Sequence, residues 1–142
     1  MRLVVACAAL ALASVGAACR EGGVAPRSAV PGGDVDRGRV AIAAYGCGGC
    51  HVIPGIRGAD GRVGPPLLDL AHRTFIAGSL RNDAETLVKW IQAPPTLRPG
   101  TAMPVLGVTE GHARDIAAYL YAQQRGGLGP PHLLPREWLP GH

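Results

Sequence analysis

Residues 45–55 read YGCGGCHVIPG. The five from Cys47 to His51 restrict what this chain can fold into more than any other feature. Two thiols three residues apart, with an imidazole directly after them, suit three chemistries: a redox dithiol, half of a zinc site, or the anchor of a haem. Each needs a different scaffold, so the rest of the chain has to choose between them.

A thioredoxin-like dithiol sits between a strand and a helix of an α/β unit, and no segment here alternates convincingly as a strand. A structural zinc needs four ligands. The body of the chain has no second cysteine pair, and the spacing of His72 and His112 suggests no recruitment. C-x-x-C-H is the attachment pattern of c-type haem. On one turn of helix, positions i, i+3 and i+4 share a face. Cys47 and Cys50 can then form thioethers with two vinyl groups while His51 points at the iron.

The composition agrees. In 142 residues there are one phenylalanine, two tryptophans and three tyrosines, against 21 glycines and 13 prolines. One small domain with so few large apolar side chains has difficulty burying enough surface to fold unaided. A flat, apolar, covalently held cofactor supplies the missing core.

The ends separate from the body. Residues 1–19, MRLVVACAALALASVGAAC, run from an arginine through an apolar stretch to small residues, the pattern of a secretory signal. Export to a bacterial periplasm follows from it. Small residues before Cys19 also read as a lipoprotein signal, with Cys19 as the lipidated N-terminus; the other reading is ordinary cleavage after Ala17 or Ala18. Residues 20–33 read as a flexible linker rich in Gly, Pro and Ala. Residues 126–142 read as a Pro/Gly-rich tail carrying Leu133, Leu134, Trp138 and Leu139, either loose or a strap packing on the domain or a partner.

Residues 34–125 read as one all-α domain of about four helices. Asp34 is placed to cap a helix to about Tyr45, with Gly38, Ala41, Ile42 and Tyr45 on one face. Asn82, with Glu85 three later, resembles a capping box for AETLVKWIQ, which Pro94 and Pro95 end. Thr109 caps a last helix with Ala113, Ile116, Ala117 and Leu120 at helical spacing, closed by Gly126.

If His51 is one axial ligand, Met103 is the candidate for the other. It is the only methionine besides Met1 and lies in a Pro/Gly-rich loop between two helices, where Pro104 biases it toward an extended backbone. His72 is its rival. A thioether favours reduced iron and raises the potential, which suits an electron carrier.

The sequence thus resembles the class I, mono-haem cytochromes c, among them those serving haem–copper terminal oxidases. The likeness covers about Asp34 to Gln124 and rests on GCGGCH, VGPPL, RPGTAMP and DIAAYL. It implies one haem c, with the Pro65 carbonyl accepting a hydrogen bond from the His51 ring. It also implies that Leu67, Leu68 and Trp90 line the haem and that Arg73 and Thr101 approach its propionates. Gly38 would let the first helix cross closely against Tyr119 and Leu120.

Of the 14 lysines and arginines Arg2 falls in the leader, and the excess over 10 acidic residues is small and scattered. Nothing points to nucleic acid. No carboxylate pair is spaced for acid–base catalysis, and no phosphate-binding glycine loop appears. The expected function is a one-electron carrier, not an enzyme, whose partners are redox proteins of membrane respiratory complexes. The alternative is a haem sensor or haem enzyme whose distal site opens to a small ligand. Membrane attachment would run through a lipidated Cys19.

Overall fold

The computed structural model describes residues 29–123. Helix α1, Val35–Ala44, starts where the Asp34 carboxylate accepts the Arg37 N–H at 2.8 Å. It ends at Tyr45, and a single 3₁₀ turn, Cys47–Gly49, follows. A second 3₁₀ turn spans Leu70–His72, and a short antiparallel hairpin pairs β1, Phe75–Ile76, with β2, Leu80–Arg81. Three helices complete the described residues: α2, Ala84–Gln92; α3, Pro94–Leu97; and α4, Glu110–Ala122, capped by the Thr109 hydroxyl. The signal segment, Cys19 and the tail lie outside the described residues, as does Gly126; α4 ends at Ala122.

The crossing of α1 and α4 is the main joint of the molecule. A Cβ on Gly38 would lie 2.0 Å from the Asp115 carbonyl oxygen and 2.9 Å from the Tyr119 Cβ. Only a residue without a side chain allows that approach. The closest atoms therefore belong to Tyr119, as expected, and to Asp115 one turn before it, rather than to the expected Leu120. Beside the crossing the buried Asp115 carboxylate accepts the Asp34 N–H at 2.8 Å and the Arg37 guanidinium at 2.8 and 2.9 Å. A buried carboxylate is tolerated there because its oxygens are paired. Ala41, Ile42, Ala113, Ile116 and Ala117 pack around this joint.

Two local expectations change. The N-cap of α2 is Asp83, whose carboxylate accepts from Thr86 N at 2.9 Å and Thr86 Oγ1 at 3.0 Å. Asn82 is instead buried, donating to the Leu70 and Arg73 carbonyls and accepting from the Tyr121 hydroxyl, each at 2.7 Å. Glu85 does not reach back to complete a capping box but pairs with Arg114 at 2.9 Å, linking α2 to α4. The hairpin was not expected; strands of two residues are too short to show a period. Its turn is made by Ala77, Gly78 and Ser79, the first two at positive φ.

The described part of the expected linker also joins the domain. Val30 packs on the core, and Gly33 lies against the Arg114 carbonyl and the Ala118 side chain of α4. Among the described residues no helix is long and apolar enough to cross a membrane.

Candidate functional site

A cavity of about 660 Å³ opens inside this frame. Ile42 of α1, Leu87, Trp90 and Ile91 of α2, and Ile116 and Leu120 of α4 form its apolar walls. Cys47, Cys50 and His51 line it too, together with residues of the segment 63–78 and of the loop from Arg98 to Val108.

The turn that carries the motif is set by Gly46, which adopts the left-handed conformation at φ 69° and breaks the chain away from α1. Cys50 N and His51 N both donate to the Cys47 carbonyl, at 3.2 and 3.1 Å. One tight turn therefore holds positions i, i+3 and i+4, and all three residues line the cavity. No disulfide joins Cys47 and Cys50. Burial pushes the Cys47 thiol up, opposite to the lowering that activates a redox dithiol.

His51 is held from behind. Its Nδ1 lies 2.7 Å from the Pro65 carbonyl oxygen. A carbonyl only accepts, so Nδ1 carries the proton and the lone pair of the neutral ring sits on Nε2. The loop that supplies Pro65 is fastened by Gly64 N donating to the Cys50 carbonyl at 2.8 Å and Leu67 N to the Val52 carbonyl at 2.9 Å. It comes so near that a Cβ on Gly64 would lie 2.3 Å from the imidazole. This arrangement presents an orientated nitrogen ligand.

Met103 lines the same cavity, half-buried, in a loop bent by Gly100 and Gly107 at positive φ. Its backbone N–H donates to Thr101 Oγ1 at 3.3 Å. His72 is exposed and does not line the cavity. His112 is also exposed, with Nδ1 2.9 Å from the Tyr45 hydroxyl. Among the described residues no three His, Cys, Asp or Glu side chains gather as a metal cluster.

The supporting residues divide. Pro65, Leu67, Trp90, Arg73 and Thr101 all line the cavity; Leu68, its expected neighbour, does not. Leu68 instead offers its carbonyl to Arg73, whose Nη2 also donates to Pro66 O, at 2.9 and 2.6 Å. Arg98, Phe75 and the turn Ala77–Gly78 line the cavity as well and were not expected there. Arg98 donates to Ser79 Oγ and so ties the methionine loop to the hairpin. Its place directly before Pro99, Gly100 and Thr101 was the available signal. Among the described residues no Asp, Glu or Lys lines the cavity.

These residues fit a haem. The volume lies in the range of cofactor pockets and the walls are apolar. Two thiols, an imidazole with a free Nε2 and a thioether border one space, and the cations at its edge are arginines.

No protein-family model matches the chain. It is 34% identical over 86 residues to cytochrome c oxidase subunit 2 of Alkalihalophilus pseudofirmus, covering 60% of this chain and 24% of that protein. It is 38% identical over 71 residues to cytochrome c oxidase subunit 2 of Bacillus sp. (strain PS3), covering 49% of this chain and 19% of that protein. The chain thus spans about a quarter or less of these curated relatives. Cytochrome c2 of Rhodobacter sphaeroides matches its structure with a TM-score of 0.52 at 24% identity, over 69% of this chain and 99% of that chain. The fold is that of a cytochrome c-like domain, mostly helical with one small hairpin.

Proposed function

We propose that this protein carries one electron at a time on a single covalently attached haem c. The observation that supports this best is the conjunction at the cavity. Cys47, Cys50 and His51 occupy one turn, the His51 ring is hydrogen-bonded through Nδ1 to Pro65, and Met103 borders the same apolar space. Cys47 and Cys50 would hold the group by thioether bonds, and His51 Nε2 and the Met103 sulfur would be the ligands offered to its iron. When bound, the haem supplies a reversible one-electron couple. The chain's own part is to exclude water with Leu67, Trp90, Ile91 and Leu120, to orient the imidazole and to offer Arg73, Thr101 and Arg98 to the propionates.

The test is covalent haem staining together with the absorption spectrum. The wild-type protein should stain, show the weak near-infrared band of sulfur-to-iron charge transfer when oxidised, and fail to bind carbon monoxide. Cys47→Ser and Cys50→Ser should each cut the covalent yield sharply. Normal staining of both variants would refute the attachment. Carbon monoxide binding by the wild type would favour an open-site sensor or enzyme instead.

The partners we propose are redox proteins of membrane respiratory complexes, with a terminal oxidase as acceptor. The partial likeness to oxidase subunit 2 supports that choice. We further propose a periplasmic location, with Cys19 lipidated and the chain tethered to the membrane. Residues 1–19 are its support. One acyl chain anchors only marginally, so durable attachment needs several. The intact mass decides: haem plus a chain starting at Ala18 or Cys19, without acyl groups, refutes the anchor.

A further inference from the structure

The two residues between the cysteines are both glycine, and they stand in different surroundings. A Cβ on Gly49 would meet nothing within 4 Å, whereas one on Gly48 would lie 2.7 Å from both Cα and Cβ of Ala59. Neither glycine has a positive φ, so the demand at Gly48 is for space and not for an unusual conformation. The C-x-x-C-H pattern asks only for the cysteines and the histidine. Something outside the motif makes the demand.

Its source is the loop of residues 53–64, which folds back over the turn. Ile53 N donates to the Ala59 carbonyl at 3.1 Å, and Val52 and Asp60 form an antiparallel bridge. Gly61 N then donates to the Gly48 carbonyl at 3.0 Å, and Gly64 N to the Cys50 carbonyl at 2.8 Å. Gly61 has no positive φ either, yet a Cβ there would meet the Gly49 carbonyl and lie 2.6 Å from Cys50 N. Loop and turn therefore touch at three successive places: Ala59 on Gly48, Gly61 on Gly49 and Cys50, and Gly64 on the His51 ring. The next residue is Pro65, whose carbonyl holds that ring. The first two contacts involve backbone atoms on both sides, which no rotamer change relieves.

We propose that Gly48, Ala59 and Gly61 are positioning residues that fix the distance from the His51 ring to the Pro65 carbonyl and thereby tune the reduction potential. The proposal rests on the electron-carrier reading and adds to it three residues that do not line the cavity. A hydrogen bond donated by Nδ1 makes the ring a stronger base at Nε2, and a stronger base favours oxidised over reduced iron. Forcing the loop off the turn carries Pro65 away with it. The ring then donates less, and the potential rises.

The experiment compares the Gly61→Ala, Gly48→Ala and Gly49→Ala holoproteins by voltammetry, by NMR of the His51 Nδ1 proton in the reduced state, and by amide exchange. Gly61→Ala and Gly48→Ala should each favour the reduced state by about threefold or more, roughly 28 mV at about 59 mV per tenfold. Their Nδ1 proton should move upfield as its bond weakens, and the Gly64 amide should exchange about tenfold faster. Gly49→Ala, one residue along the same turn, should match the wild type in all three. Ala59→Gly removes the methyl facing Gly48 and adds no atom. It should move the same readouts the same way by a smaller amount, and it decides the question if the other variants yield no holoprotein. Gly61→Ala melting lower at the wild-type potential and Nδ1 shift would make the loop a brace only and overturn the proposal. So would a potential that falls in Gly61→Ala, or one that moves as far in Gly49→Ala as in Gly48→Ala. A wild-type protein without a one-electron couple instead removes the carrier reading, and this proposal with it.

Discussion

Gly38→Ala isolates the main joint of the fold with one methyl group. At the crossing, the added Cβ would lie 2.0 Å from the Asp115 carbonyl oxygen, 2.6 Å from its carbon and 2.9 Å from the Tyr119 Cβ. Ordinary carbon–oxygen contacts begin near 3.3 Å, so α1 and α4 must part by about 1.3 Å. Two of the three clashes are with backbone, which no rotamer change relieves. Parting the helices also stretches the bonds from Asp34 N and Arg37 to Asp115. Overpacking of this kind costs about 1–3 kcal/mol. The gain in helix propensity from Gly to Ala returns up to about 1 kcal/mol, leaving a net loss of roughly 1–2 kcal/mol. For a domain of this size each kcal/mol moves Tm by about 4–8 °C, so the holoprotein should melt roughly 5–15 °C lower by circular dichroism. Gly111→Ala in α4 is the control, because nothing lies within 4 Å of a Cβ there. It should raise Tm by a few degrees, up to about 1 kcal/mol of propensity. Gly38→Ala melting with the wild type or above it would refute the close crossing.

Three further outcomes are expected. Asn82→Ala strands the Tyr121 hydroxyl and the Arg73 carbonyl and removes one of the two donors to the Leu70 carbonyl; at about 1–3 kcal/mol for a buried unpaired group, the urea midpoint should fall clearly, and an unchanged midpoint would remove this network from the account of stability. The Arg37 guanidinium beside Asp115 holds its carboxyl below the usual range, against the opposing effect of burial and with help from the Asp34 N–H. Because the folded value is depressed, that stability is fully present above about 3.8 and lost as pH falls through the folded pKa; Tm should decline below about pH 4, and less steeply in Asp115→Asn, which equal slopes would contradict. Met103→Ala should keep the haem attached, lower the potential and admit carbon monoxide; an unchanged spectrum and potential would mean that Met103 is not a ligand.

What was readable in the sequence is mostly what neighbouring residues decide. The caps at Asp34 and Thr109, the turn of Cys47 to His51 and the helical spacing around Ile116 all arise within a few positions along the chain. The misplaced cap shows the limit. Asn82 and Asp83 are both good caps, and the choice between them depends on Tyr121, thirty-nine residues away, claiming Asn82. Glu85 was assigned a local bond that Arg114 of α4 takes instead. Leu67 and Leu68 are chemically alike, and only the path of the loop sends one of them to the cavity. The hairpin and the reach of Arg98 to Ser79 are tertiary in the same sense. Pro65 and Gly38 were reached through the resemblance, since no local pattern marks a carbonyl that will face an imidazole or a glycine that will meet another helix.

The joint between α1 and α4 also sets a clock. The two helices that close the domain stand at opposite ends of it, so the domain cannot shut until the last turn of α4 has been made. Cys50 precedes Ala122 by about 70 residues, which at about 5–20 residues per second is an interval of roughly 4–14 s. During that time the thiols sit on an open strand with no partner helix to cover them. Closing so distant a contact is itself slow, because the chain's freedom must be lost before the packing is gained. Any covalent attachment at Cys47 and Cys50 made before α4 is in place would meet a segment, not a domain.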